Sequence, residues 1–118
     1  MGCRIRIGDK IILYTSSGVI ETLYHEFLEE IQQQKIPMNK DLENFVDKLQ
    51  VSAITLGGEW FDVEKEVSSS KNLGIILDIL ENVIDKIKLE VADFALKDLW
   101  NFYAELCIYK EQLEQKGH

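Results

Sequence analysis

VSAITLGGEWFDV, residues 51–63, is the stretch on which the fold turns. VSAITL and EWFDV flank Gly57-Gly58, and a Gly-Gly pair tolerates the positive φ that a tight hairpin turn demands. Read as strand, turn and strand, the stretch predicts a β-hairpin with Trp60 and Asp62 on one face and Phe61 and Val63 on the other. One of the two adjacent aromatics then points away from whatever the other packs on. The run continues to Glu66 as GGEWFDVEKE, residues 57–66, where four acids (Glu59, Asp62, Glu64, Glu66) face one base, Lys65. Two accounts stay open at this point. Phe61 and Val63 are core and the acids a solvated edge, or Glu59, Trp60, Asp62, Glu64 and Glu66 form a surface for a basic partner.

Upstream, CRIRIGDKIILYT (residues 3–15) reads as another hairpin. Cys3, Ile5 and Ile7 alternate with Arg4 and Arg6, and Gly8-Asp9 supplies a two-residue turn. Thr15, Ser16 and Ser17 offer caps for a helix from about Gly18 to Lys35, with Val19, Ile20, Leu23, Tyr24, Phe27, Leu28 and Ile31 on one face and Pro37 past its end. Asn39 caps a shorter helix whose inward set is Leu42, Phe45, Val46 and Leu49. Ser68, Ser69 and Ser70 open a third helix, with Leu73, Ile76, Leu77, Leu80, Val83, Ile84 and Ile87 inward and Ile75 and Ile79 widening the arc. A last helix covers about Glu90 to Gln115, burying Val91, Ala95, Leu99, Phe102, Tyr103, Leu106 and Leu113, with Trp100 and Cys107 at the rim. Helices with such broad apolar faces pack round a common core. The expectation is a helix-dominated α+β fold, a single domain over residues 1–118 with about four helices and one or two β-hairpins.

The chain is acidic, and unevenly so. Its 118 residues carry a net charge of −8, of which −2 belongs to residues 1–58 and −6 to residues 59–118. Such a field repels nucleic acid and anionic lipid, and it speeds encounter with basic partners. The outer face of the third helix adds Asp78, Glu81 and Asp85 to the acids of 59–66. No apolar run is long enough to span a bilayer, the first ten residues lack the apolar stretch of a signal peptide, and Arg6 replaces the Ser or Thr that acylation at Gly2 prefers. The expectation is a cytoplasmic protein with reduced thiols, without membrane or nucleic-acid partners, existing as a monomer or weak dimer.

Little in the sequence offers chemistry. Glu21, His25 and Glu29 stack at i, i+4 and i+8, but opposite the apolar face, where a solvated charged stripe accounts for them better than a metal site. Thr15-Ser16-Ser17-Gly18 lacks the glycine spacing and the lysine of a phosphate-binding loop and reads as helix capping. No nucleophile motif is present, and Cys107 falls on an apolar arc. No catalytic residue, metal or cofactor is expected, and the chain reads as a non-enzyme.

GGEWFDVEKEV, the capped amphipathic SSSKNLGIILDILENVIDKI and the acidic second half together make the whole chain resemble the small acidic immunity proteins that bacteria encode beside secreted toxins, such as those of contact-dependent growth inhibition systems. The resemblance lies in size, charge and architecture. It implies an inhibitor that binds a cognate basic toxin, a nuclease in many such systems, and covers its active site with acidic side chains. Glu59, Trp60, Asp62, Glu64, Glu66, Asp78, Glu81 and Asp85 are the candidate partner-binding residues. The chain also resembles acidic secretion chaperones, which hold an extended effector segment; Ile75, Ile79 and Trp100 are the residues that reading would expose.

Overall fold

The amino-terminal hairpin forms as the alternation predicts. In a computed structural model that describes residues 2–54 and 60–117, β1 (Gly2–Ile7) and β2 (Lys10–Ser16) pair antiparallel around Gly8-Asp9. Gly8 has φ +58°, and of the two turn residues only it is positive, the pattern of a type II′ turn. The ladder is not regular. Ile5 faces Leu13 but Arg6 faces Ile11, so Ile12 is an extra residue, a β-bulge. The bulge lets the neighbours Ile12 and Leu13 both turn inward, which strict alternation forbids.

The second hairpin does not form. Residues 51–54 are the last turn of α2 (Lys40–Ile54), and Trp60–Asp62 is a short strand, β3, lying parallel to β1. Arg4 pairs with Trp60, Ile5 with Phe61 and Arg6 with Asp62, giving the sheet order β2-β1-β3. The reason lies in the helix. Its inward series Leu42, Phe45, Val46 and Leu49 extends to a buried Ser52 and a half-buried Ala53 at helical spacing, so VSAI satisfies the 3.6-residue period before it satisfies a period of two. Gly57-Gly58 lie outside the described residues. Phe61 and Val63 are core, as expected.

The remaining helices follow the patterning closely. α1 (Ser17–Gln34) starts at Ser16, whose hydroxyl accepts from the Val19 amide, and ends with Lys35 in the left-handed region at φ 52°. There the Ile36 amide donates to the Ile31 carbonyl and the Lys35 amide to Gln32, a Schellman closure. Asn39 caps α2 through the Leu42 amide at 2.9 Å. After the short α3 (Val63–Glu66), Ser69 caps α4 (Ser70–Ile87), and α5 (Asp93–Gln115) begins three residues later than its apolar pattern suggests. The described residues thus hold five helices and one three-stranded sheet, a helix-dominated α+β fold.

Two contacts organise the interior. Phe45 of α2 lies 5.4 Å from Phe27 of α1 and 5.2 Å, edge on, from Phe61 of β3, ring centre to ring centre. On the far side of α1, the buried Glu30 carboxylate accepts from Lys86 of α4 and from the Gln34 amide. Lys86 holds the Glu30 carboxyl below the ordinary glutamate range despite its burial, and Glu30 in turn raises the lysine.

Phe45→Ala removes the ring that joins three segments and lowers stability by about 3–5 kcal/mol, whereas Ile11→Ala, at a half-exposed site, changes it by no more than about 0.5 kcal/mol. Denaturant midpoints of the two variants test this, and equal shifts refute the packing account. The ion pair makes a separate prediction. Its contribution is complete above the ordinary glutamate pKa of about 4.3 and disappears as pH falls through the lowered folded value. Glu30→Gln is therefore less stable than the parent at pH 7, and the gap closes on acidification; a gap constant with pH disproves it.

Candidate interaction surface

In the described part of GGEWFDVEKE, Phe61, Asp62, Val63 and Glu66 are engaged inside the molecule. Asp62 Oδ1 accepts from the Gly8 amide and from the Glu64 amide, each at 3.0 Å. One carboxylate oxygen thus caps α3 and pins the β1–β2 turn, where a glycine with positive φ leaves its amide free to point at it. Glu66 is half-buried, 3.9 Å from Lys48, and its carbonyl accepts from the Asn44 side chain at 3.4 Å. Glu64 is exposed. Trp60 enters as the β3 residue opposite Arg4, and Glu59 lies outside the described residues.

The chain that follows is tied down just as firmly. Asp41, buried at the start of α2, accepts through Oδ2 from the amides of Ser68 and Ser69 at 3.4 and 3.2 Å and from the Asn72 side chain at 3.0 Å. From the other side the buried Tyr109 of α5 donates to the Val67 carbonyl at 3.3 Å. Burial raises the Tyr109 pKa, and the nearby Glu64, Asp62 and Asp41 add to the shift, so the hydroxyl stays a donor. Asp41, Asn44 and Tyr109 went unnoticed in the sequence because each sits on a helix where a polar or amphipathic residue calls for no special account.

The acids of α4 are placed differently. Asp78, Glu81 and Asp85 are all exposed along its outer side. Tyr103 of α5 approaches Glu81 at 3.5 Å and meets Trp100 edge on at 5.6 Å. The Tyr103 pKa is pushed up to about 12, by burial first and then by Cys107 and Glu81. Asp85 lies 3.1 Å from Lys88. This side of the molecule combines negative charge with a partly open aromatic ridge, a composition suited to protein recognition.

The apolar groove offered by Ile75, Ile79 and Trp100 is not built. Ile79 is 1% exposed and belongs to the core, because α4 is covered by both α1 and α5 and needs its wide arc. Exposed apolar groups appear instead on β2, where Ile11 and Tyr14 flank a shallow cleft shared with Asp98 and Asn101 of α5. Arg4 lies over the Tyr14 ring at 5.5 Å. The bulge that turns Ile12 inward leaves Ile11 outside, and strand alternation alone gave no sign of it.

The groups considered for chemistry stand apart. His25 is 3.8 Å from Glu21, while Glu29 accepts from Gln33 at 2.8 Å, and all three members of the stripe are exposed. Among the described residues no cluster of three His, Cys, Asp or Glu is placed to hold a metal ion. Cys3 is a buried residue of β1 whose thiol donates to the Ser52 carbonyl at 3.0 Å; burial raises its pKa and suppresses the thiolate. No described helix is long and apolar enough to cross a membrane. Compared with protein families, characterised proteins and solved structures, the chain matches none of them.

Asp62→Ala strands two amides and costs about 1–3 kcal/mol, whereas Asp78→Ala changes stability by no more than about 0.5 kcal/mol. Thermal or chemical denaturation of the two variants distinguishes a structural acid from a displayed one. A neutral Asp62→Ala contradicts the capping role.

Proposed function

We propose that this chain is a non-enzymatic inhibitor of the immunity type, resident in the cytoplasm, which neutralises a cognate basic toxin by covering its active site. The observation that carries the reading is the row of exposed acids on the outer side of α4, Asp78, Glu81 and Asp85, on a rigid helix anchored from both flanks. A basic cleft that binds the phosphates of a nucleic acid attracts such a row for the same electrostatic reason, and a pre-formed helix loses little entropy in presenting it. A nuclease domain is therefore the partner proposed. Glu64 is a further exposed acid, beside the β1–β2 turn. Asp62 and Glu66 support it from within, so their loss acts through the fold.

Capture of the partner from the native host provides the direct test. The expected partner is a folded basic protein whose nuclease activity is abolished by the added chain at equimolar ratio. Reversing Asp78, Glu81 and Asp85 to Lys lowers its association rate at low salt by about tenfold or more and flattens the salt dependence. An association rate and salt slope that do not change exclude the α4 surface. A partner held only as an unfolded segment supports the chaperone class instead.

A further inference from the structure

One side of α5 stands in solvent and is patterned about its own middle. Lys97, Ala104 and Glu111 are exposed and recur every seven positions, so they fall close to one line along the helix. Trp100 and Ile108 flank that line, one on each side, and remain 38% and 48% exposed. Ala104 is equidistant from both members of each pair: Lys97 and Glu111 lie seven positions away, Trp100 and Ile108 four.

We propose that this side of α5 is a self-association surface, on which the same helix of a second copy packs antiparallel about a two-fold axis at Ala104. Such an axis brings each residue opposite the one equally far beyond the centre. Lys97 then meets the second copy's Glu111, and Glu111 its Lys97. Trp100 packs on the second copy's Ile108, and the reverse contact repeats it. The charged pairs sit about 10 Å either side of the centre, where they bracket the apolar contacts. The small side chain of Ala104 lets the helices approach to the usual 8–10 Å or so.

Charge also selects the orientation. Parallel packing sets Lys97 against Lys97 and Glu111 against Glu111, like on like, whereas the antiparallel arrangement makes both pairs attractive. A foreign protein on this surface has no need of charges that complement each other about a centre. Asp78, Glu81 and Asp85 lie on α4 and supply none of the paired contacts, although Tyr103, which approaches Glu81, stands beside Trp100. The inference therefore does not rest on the toxin-binding reading.

Sedimentation equilibrium of the full chain over a concentration series is the test. The parent chain is expected to show a monomer–dimer equilibrium. Lys97→Glu and Glu111→Lys each weaken it about tenfold, and the double exchange restores it. Ala104→Cys in a Cys107→Ser background, oxidised, is expected to give a disulfide-linked dimer, because the axis brings the two introduced thiols together; Gln115→Cys in the same background is not. A monomeric mass at every concentration up to about 1 mM overturns the proposal, as does a dimer indifferent to both charge reversals. If α5 instead serves a foreign protein, the chain alone stays monomeric, which is the first of those results.

Discussion

The ring of Phe45 touches those of Phe27 and Phe61, and so holds α1, α2 and β3 against one another at a point with no exposed surface. The position of β3 depends on this contact. With three residues, β3 is too short to persist on ladder hydrogen bonds alone, and its parallel pairing with β1 gains no help from a tight turn. Burial of Phe61 beside Ile5 supplies what the turn does not. Once β3 is seated, Asp62 falls beside the Gly8 amide, and the β1–β2 turn and the start of α3 are fixed in consequence.

Polar contacts then determine how the outer elements sit on this core. Asp41 holds the segment before α4, Tyr109 holds the same segment from α5, and Glu30 with Lys86 closes α1 on α4. Each joins elements far apart in sequence and places a charged or hydroxyl group where water is largely excluded. A buried carboxylate costs several kcal/mol unless its oxygens are satisfied, so such groups specify one arrangement against near alternatives as much as they stabilise it. The hydrophobic faces decide that the helices cluster, and these acids decide which residues lie opposite which.

Helical periodicity made most of this legible. The inward sets of α1, α2 and α4 could be read nearly residue by residue, as could the Asn39 cap, while Thr15–Ser17 and Ser68–Ser70 marked the other two helix starts within which Ser16 and Ser69 cap, because spacing and capping are local rules. Residues 51–63 misled for an equally physical reason. VSAIT is β-branched and apolar enough for a strand, and Gly57-Gly58 is a good turn, yet Ser52 and Ala53 continue the buried row of the preceding helix. Packing against the core outweighed local preference, as it commonly does for short apolar runs. The bulge at Ile12 and the reach of Asp41 across 31 positions to Asn72 depend on tertiary contact, for which no local pattern exists.

The same division governs the candidate surface. Sequence shows twenty-one acids; the fold separates those that accept from backbone amides or join distant elements from those that stand in solvent. An acid such as Asp62 or Asp41 already satisfies two or three donors, and each charge-assisted bond contributes roughly 1.5–3 kcal/mol. To reorient it toward a partner would surrender those bonds for contacts of similar strength, leaving little net affinity. The exposed acids of α4 are engaged only at the surface, Glu81 by Tyr103 and Asp85 by Lys88, contacts that cost little to exchange, and their helix is already packed from both flanks. A run of acids in sequence is thus weak evidence for a binding site until the fold reveals which of them are exposed; here Asp62 and Glu66 are engaged within the molecule, whereas Glu64 and the acids of α4 stand in solvent.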